Sequence, residues 1–271
     1  MMRSLWSAAT GMIAQQTNVD TISNNISNVN TVGYKSERAE FKSLLYQTLQ
    51  SETTSANGEQ KPISAQVGLG TRTASITSQF TQGALTASES NTAFAVEGDG
   101  FFGLINGDGE ISYTRNGDFS FVVGQNGLVL CNSEGYYVMN SQGGQITLPE
   151  GVTAGKVYVS GSGAIGYYDE DNNVVDLNMT VGLWQFNNPA GLEKTSNSRY
   201  LVTDASGAAL NEINTAGLTT SKLRQGYLEA SNVQVADEMV NLIIAQRAYE
   251  LNSKAITTSD TMLEQANNLK R

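Results

Sequence analysis

Apolar side chains recur every seven residues at both ends of the chain. Near the start Leu5, Met12, Val19 and Ile26 form one row, with Ala8, Ile22 and Val29 three residues after members of it. Near the end Val235, Leu242, Tyr249, Ile256 and Leu263 repeat the pattern. A seven-residue period gives a narrow seam that wants another helix, because 3.5 residues per turn keeps one stripe facing a partner. Glycine and proline agree with this reading. The first 57 residues hold only Gly11 and Gly33 and no proline, residues 227–271 hold neither residue, and residues 58–226 hold all the rest. In a helix interior these two residues cost about 1 and 3 kcal/mol, so long helices are predicted over 1–29 and 233–269. Asn30-Thr31-Val32-Gly33 supplies a stop and turn after the first. Met239, Ile243, Ile244, Ala248, Leu251, Ala255 and Met262 widen the C-terminal stripe beyond one seam. The two ends either pair only with each other, as an antiparallel hairpin, or find further helical neighbours, and the wide stripe favours the second.

The middle follows another rhythm. Short apolar or alternating runs occur at 93–97, 101–105, 111–115, 118–123, 128–131 and 136–140, separated by NGDG, NG, GQNG and NSEG. These are hairpin-turn compositions at strand-like spacing, and runs at 156–160, 164–168, 181–186 and 199–203 continue them. The fold class predicted is α+β: terminal helices forming a discontinuous coiled-coil domain, with an inserted antiparallel all-β domain. The domain boundaries are 1–45 plus 226–271 for the helices, 46–75 for a linker or extended segment and 76–225 for the β domain. Residues 34–50 are compatible with a second helix or with extended chain, and SETTSANGEQK (51–61) reads as a flexible linker.

Composition removes much chemistry. The chain has 271 residues, no histidine and a single cysteine, Cys131, so an intramolecular disulfide, Cys/His zinc sites and a histidine base are excluded. Its net charge is −10, and most of the acid lies between the two ends. That acidic middle repels phosphates, so nucleic acid is not an expected partner. No apolar run approaches the ~20 residues that span a bilayer, so membrane insertion is not expected. MMRSLWSAATGMIAQQ lacks a cleavable-leader pattern. Asp169-Glu170-Asp171-Asn172-Asn173 fails as a calcium loop, because Val174 and Thr180 stand where glycine and a bidentate glutamate are needed. Glu97-Gly98-Asp99-Gly100 lacks the Lys-Ser/Thr ending of a phosphate cradle. Carboxylates suffice in number for a glycosidase pair, yet spacing selects none. No catalytic residue, cofactor or metal is assigned, and the chain is not expected to be an enzyme.

At Asn24-Asn25-Ile26-Ser27-Asn28-Val29-Asn30-Thr31-Val32-Gly33-Tyr34-Lys35 the sequence resembles the N-terminal signature of the bacterial flagellar rod and hook proteins. SNVQVADEMVNLIIAQRAYELNSKAI (231–256), including Arg247, Tyr249 and Asn252, resembles the matching C-terminal motif. FTQGALTASESNTAFAVEGDGFFGL (80–104) and YTRNGDFSF (113–121) look like the family's shared β domain. RSLWSAATGMIAQQTN (3–18), ERAEFKSLLYQTLQ (37–50) and the modest length favour a distal-rod member, with the adjacent proximal-rod protein as the alternative within the family and a secreted β-rich binding module as the alternative outside it. The resemblance implies a subunit of a helical polymer that transmits torque from motor to hook. Its terminal helices would make an inner coiled-coil tube. Its partners would be copies of itself, neighbouring rod proteins, the hook protein, surrounding bushing rings and the flagellar export apparatus. It would lie in the extracytoplasmic rod and be exported without a cleaved signal peptide. Leu5, Met12, Val19, Ile22, Ile26, Val235, Leu242, Tyr249, Ile256 and Leu263 would be assembly contacts. Asn24, Asn25, Asn28, Asn30, Gly33, Tyr34, Lys35, Arg247 and Asn252 carry the family motif. The asparagines are either helix-surface residues or, as favoured, satisfy backbone groups where the first helix bends into the next segment.

Overall fold

A computed structural model describes residues 2–50, 65–124, 127–149, 152–169, 173–215 and 217–269. The linker expected at 51–61, the centre of the GQNG turn and residues 170–172 of the acidic cluster lie outside the described residues. The chain is α+β and divides into two units: 1–27, 37–77 and 234–271 in the first, 28–36 and 78–233 in the second.

The first unit holds helix α1 (Met2–Ser27) and helix α2 (Val235–Asn268). Asp237 and Glu238 in the first turn of α2 suit the positive end of its dipole. The helices run antiparallel: Ser4 faces Ser259, Gly11 faces Asn252 and Asn25 reaches Glu238. Small residues make the contact, with Ala8, Ala14, Ala245 and Ser259 buried. Gly11 is tolerated inside α1 because a Cβ there would stand 2.9 Å from the Asn252 amide. The unit's other described elements form an antiparallel ribbon, in which strand Glu37–Ser43 pairs with Thr71–Ser78 and Tyr46–Gln50 with Ala65–Gly68. Residues 37–50 are thus extended rather than helical.

The second unit is antiparallel β. Its main sheet runs in the order Thr147–Leu148, Gly127–Asn132, Tyr137–Val138, Phe101–Ile105, Ile111–Thr114, Arg199–Leu201, Glu193–Thr195. Strand Phe101–Ile105 explains why its run is continuously apolar. Alternate side chains of a strand point to opposite faces; Phe102 and Leu104 enter one core with Phe94, Leu130, Val138 and Ile146, while Phe101 enters a second with Tyr113, Trp184, Phe186 and Tyr200. Gly103 faces Trp184, whose ring would stand 2.4 Å from an added Cβ. A smaller sheet pairs Val157–Val159, Ala164–Tyr168 and Val174–Thr180, so the acidic segment 169–173 joins two paired strands, Tyr168 lying opposite Val174. Strands Phe119–Gly124, Leu183–Gln185 and Leu210–Asn211 branch from the main sheet, and two short ladders lie in the same unit: Phe94–Glu97 with Lys222–Gln225, and Leu85–Ala87 with Tyr227–Glu229.

Candidate functional site

Two features stand out, one in each unit. In the helical unit the predicted seam residues are unevenly covered. Ile22 is buried, Leu5, Met12, Val19, Ile26, Leu242, Ile256 and Leu263 are half-buried, and Val235 and Tyr249 are exposed. Beside them α2 carries an uncovered apolar stripe of Met239, Val240, Ile243, Ile244 and Leu251; Ile243 is 56% and Ile244 61% exposed. Fully burying such side chains contributes about 1.5–3 kcal/mol each, so this face leaves a large part of its driving force unused within one chain. A groove of about 430 Å³ lined by Gln16, Val19, Gln246, Tyr249 and Glu250 lies beside the seam. No helix of the described chain is long and apolar enough to cross a membrane.

Asn25 is buried against the same helix pair. Its Nδ2 donates to the Glu37 carbonyl at 2.8 Å and to Glu238 Oε1 at 3.0 Å, and its Oδ1 accepts from the Glu37 amide at 2.8 Å. One side-chain amide thus mimics a β-ladder partner for the first residue of strand Glu37–Ser43. Burial raises the Glu238 carboxyl above its ordinary value, Asn25 opposes this and Asp237 adds to it. Asn24 and Asn30 are exposed, and Asn28 Oδ1 accepts from Thr31 Oγ1 at 3.0 Å in the turn after α1. Arg247 pairs with Glu250 on the surface at 2.9 Å, a contact worth little on its own.

In the β unit the N-terminal motif ends in a buried ionic cluster. Gly33 adopts φ +68°, and its amide donates to the Glu229 carbonyl at 2.8 Å. Two residues later Lys35 Nζ lies 2.6 Å from Glu229 Oε1 and donates to the Thr81 carbonyl at 2.8 Å. Arg115 Nη1 approaches Glu229 Oε2 at 3.4 Å, and its Nη2 donates to the Gly98 carbonyl at 2.6 Å. The Gly83 amide adds a hydrogen bond to Glu229 Oε1 at 2.9 Å, and the guanidinium lies over the Phe101 ring. All three charged side chains are out of solvent. Burial pulls Lys35 and Arg115 below their ordinary values, and Glu229 pulls both back up. Tyr34, between Gly33 and Lys35 in the chain, is half-buried. Sequence reasoning singled out Gly33 and Lys35 but neither Arg115 nor Glu229. Separations of 80 and 194 residues carry no signal of proximity, and an arginine at a strand end reads as solvated.

Neither feature has the form of a reaction centre. Among the described residues no group of three or more His, Cys, Asp and Glu side chains is placed to hold a metal ion. An open apolar helix face and a buried, hydrogen-bonded ionic cluster suit a subunit that assembles. Three family models match in chain order: flagella basal body rod protein at residues 5–35, flagellar hook protein FlgE/F/G D1 domain at 95–167, and flagellar basal body rod FlgEFG protein C-terminal at 224–269. They define the class, a structural subunit of the flagellar rod and hook group. Among similar proteins, the flagellar basal-body rod protein FlgG of Borreliella burgdorferi is 43% identical with all of both chains covered. That of Buchnera aphidicola subsp. Acyrthosiphon pisum is 40% identical over 99% of this chain and 100% of its own. That of Bacillus subtilis is 36% identical over the whole of both chains. The chain belongs to the FlgG family of flagellar basal-body rod proteins, which are structural subunits and not enzymes.

Proposed function

We propose that this chain polymerises helically into the distal rod of the flagellar basal body and serves there as a drive shaft from motor to hook. The observation that carries this reading is the uncovered apolar stripe of α2 beside a half-covered heptad seam. In a polymer of identical chains, heterologous contacts that do not close into a ring build an open helix. The α1/α2 pair would complete its seam as a coiled coil against the helices of neighbouring copies. Leu5, Met12, Val19, Ile22, Ile26, Val235, Leu242, Tyr249, Ile256 and Leu263 are assigned to those contacts. Segments 1–45 and 226–271 would then supply the polymerisation domain through their helices, with 28–36 and 226–233 held in the β unit, 46–75 serving as a connecting segment and 76–225 as the body of the β domain. Adjacent rod proteins and the hook protein are its axial partners, and bushing rings and the export apparatus its transient ones. Its place in the rod is extracytoplasmic.

The test is Ile244→Asp. An exposed position of the free chain tolerates the change within about 0.5 kcal/mol, whereas a charge buried between copies blocks assembly. Electron cryo-tomography of cells lacking the chain, complemented with wild type or with Ile244→Asp, reads the outcome. Restored rod and hook with wild type alone is expected. Full rods and normal motility with Ile244→Asp would refute the assigned surface, and an intact rod in the uncomplemented strain would refute the rod reading itself.

A further inference from the structure

The chain passes between its two units four times, at 27/28, 36/37, 77/78 and 233/234. Within the β unit, residues beside three of these passages form a closed hydrogen-bonded ring. The Gln79 amide donates to the Ser36 carbonyl at 2.8 Å, the Ser36 amide donates to Asn232 Oδ1 at 2.7 Å, and Asn232 Nδ2 donates back to the Gln79 carbonyl at 2.8 Å. Asn232 Nδ2 also reaches Thr81 Oγ1 at 2.8 Å. The segment entering at the fourth passage turns at Asn28–Thr31 and is fastened by the Gly33 amide to the Glu229 carbonyl at 2.8 Å. The ionic cluster lies next along the chain. Lys35 shares the Thr81 carbonyl with Asn232. Glu229 holds Lys35 and the Gly83 amide on one oxygen and Arg115 on the other. Arg115 follows core strand Ile111–Thr114 and lies over Phe101 of the aromatic core.

As a source of stability this is a poor design. Desolvating three charges cancels most of their attraction, and apolar residues of equal volume often stabilise as well or better. The cluster offers what apolar packing lacks. Hydrophobic contact is non-directional, whereas short hydrogen bonds to backbone carbonyls fix distance and angle. We infer that Asn232, Lys35, Glu229 and Arg115 form a load-sharing joint: force entering the β unit along one chain passage is spread over the other three and into the core strands. This rests on the proposed shaft role, since only a subunit under torque needs its chain passages braced together.

The joint is tested first in the purified full-length chain by hydrogen exchange. Asn232→Ala removes bonds only to Ser36, Gln79 and Thr81, with Ile146→Val in the core as a control of ordinary destabilisation. The expected result is cooperative opening: exchange rising at least about tenfold at Ser36, Gly33 and Gly83 together, although the last two amides are held by Glu229. No such pattern is expected in the control. Acceleration confined to Ser36, with Gly33 and Gly83 unchanged, overturns the inference whatever the fate of the shaft reading. The second readout is in rotating motors: the fraction still turning under high viscous load relative to low load is expected to fall for Asn232→Ala and to stay at the wild-type value for Ile146→Val. Asn232→Asp, which keeps the acceptor and loses both donors, replaces the alanine variant where that chain builds no motor. Equal ratios in variant and control overturn the joint. Failure of wild-type complementation to restore any rod counts against the shaft role and leaves the exchange result standing.

Discussion

Gly33→Ala probes the tightest part of the motif. Gly33 holds φ +68°, and an added Cβ would lie 2.5 Å from the Asn116 amide nitrogen, 2.7 Å from the Arg115 carbonyl carbon and 2.8 Å from the Asn116 Cα. The left-handed conformation costs a non-glycine residue about 1–2 kcal/mol. The contacts are all with backbone, so no side chain can rotate away, and overpacking of this kind costs about 1–3 kcal/mol. Alanine restricts the unfolded chain and returns about 0.4–1 kcal/mol. The net expectation is a loss of about 1.5–4 kcal/mol. Two other glycines separate the causes. Gly135 has φ +86° with nothing within 4 Å of its Cβ position, so alanine there meets strain without collision. Gly107 has neither a left-handed φ nor a near neighbour, and alanine should be neutral or slightly stabilising. Urea unfolding of the β unit can be followed on buried Trp184, in a Trp6→Phe background because Trp6 is 62% exposed. The order of loss should be Gly33, then Gly135, then Gly107. Equal losses at Gly33 and Gly135 would show that Asn116 yields freely and would remove the close approach as the reason for glycine.

The helical unit offers two further tests. Burial raises the Glu238 carboxyl above its ordinary 4.5; a raised carboxyl holds its proton more tightly when folded, so its contribution is present below 4.5 and is lost as pH climbs through the folded value. Helix melting by circular dichroism should therefore weaken over that window, and Glu238→Gln, which keeps an acceptor for Asn25, should flatten it; an unchanged slope would assign the effect elsewhere. Ala245→Leu places a large side chain where the helix pair leaves 1% exposure, and about 1–3 kcal/mol of overpacking is expected. The Trp184 transition should be untouched, and a matching loss there would show that the two units unfold as one.

Much of the fold was legible because periodicity is a local property. The strand at 101–105 runs Phe101–Ile105, and those at 164–168 and 128–131 fall within two residues of their observed limits. Strand Val174–Thr180 lies outside the predicted runs although Val175, Leu177 and Met179 alternate with Asp176, Asn178 and Thr180; the structure adds a φ of +52° at Asn178 and a register slip opposite Ile165/Gly166. The ribbon over 37–50 and 65–78 is ambiguous for other reasons: Glu37–Ser43 is mostly exposed, and Thr71–Ser78 alternates in burial while its sequence, TRTASITS, is largely polar on both faces.

The sequence by itself determined that the ends are helical and the middle antiparallel β, because turn residues, breakers and heptads act over a few residues at a time; the motifs at 24–35, 80–104, 113–121 and 231–256 carried the resemblance to flagellar rod proteins. It also marked Asn25 as satisfying backbone groups after the first helix and Gly33 as part of a turn, and marked Lys35 and Asn252 by motif alone. Only the tertiary structure decided that Asn252 packs on Gly11, that Asn25 serves as a ladder partner for Glu37, and that Lys35 meets Arg115 and Glu229. Those meetings depend on where topology returns the chain after tens or hundreds of residues. A buried charge and a solvated one look the same until the fold has removed the water.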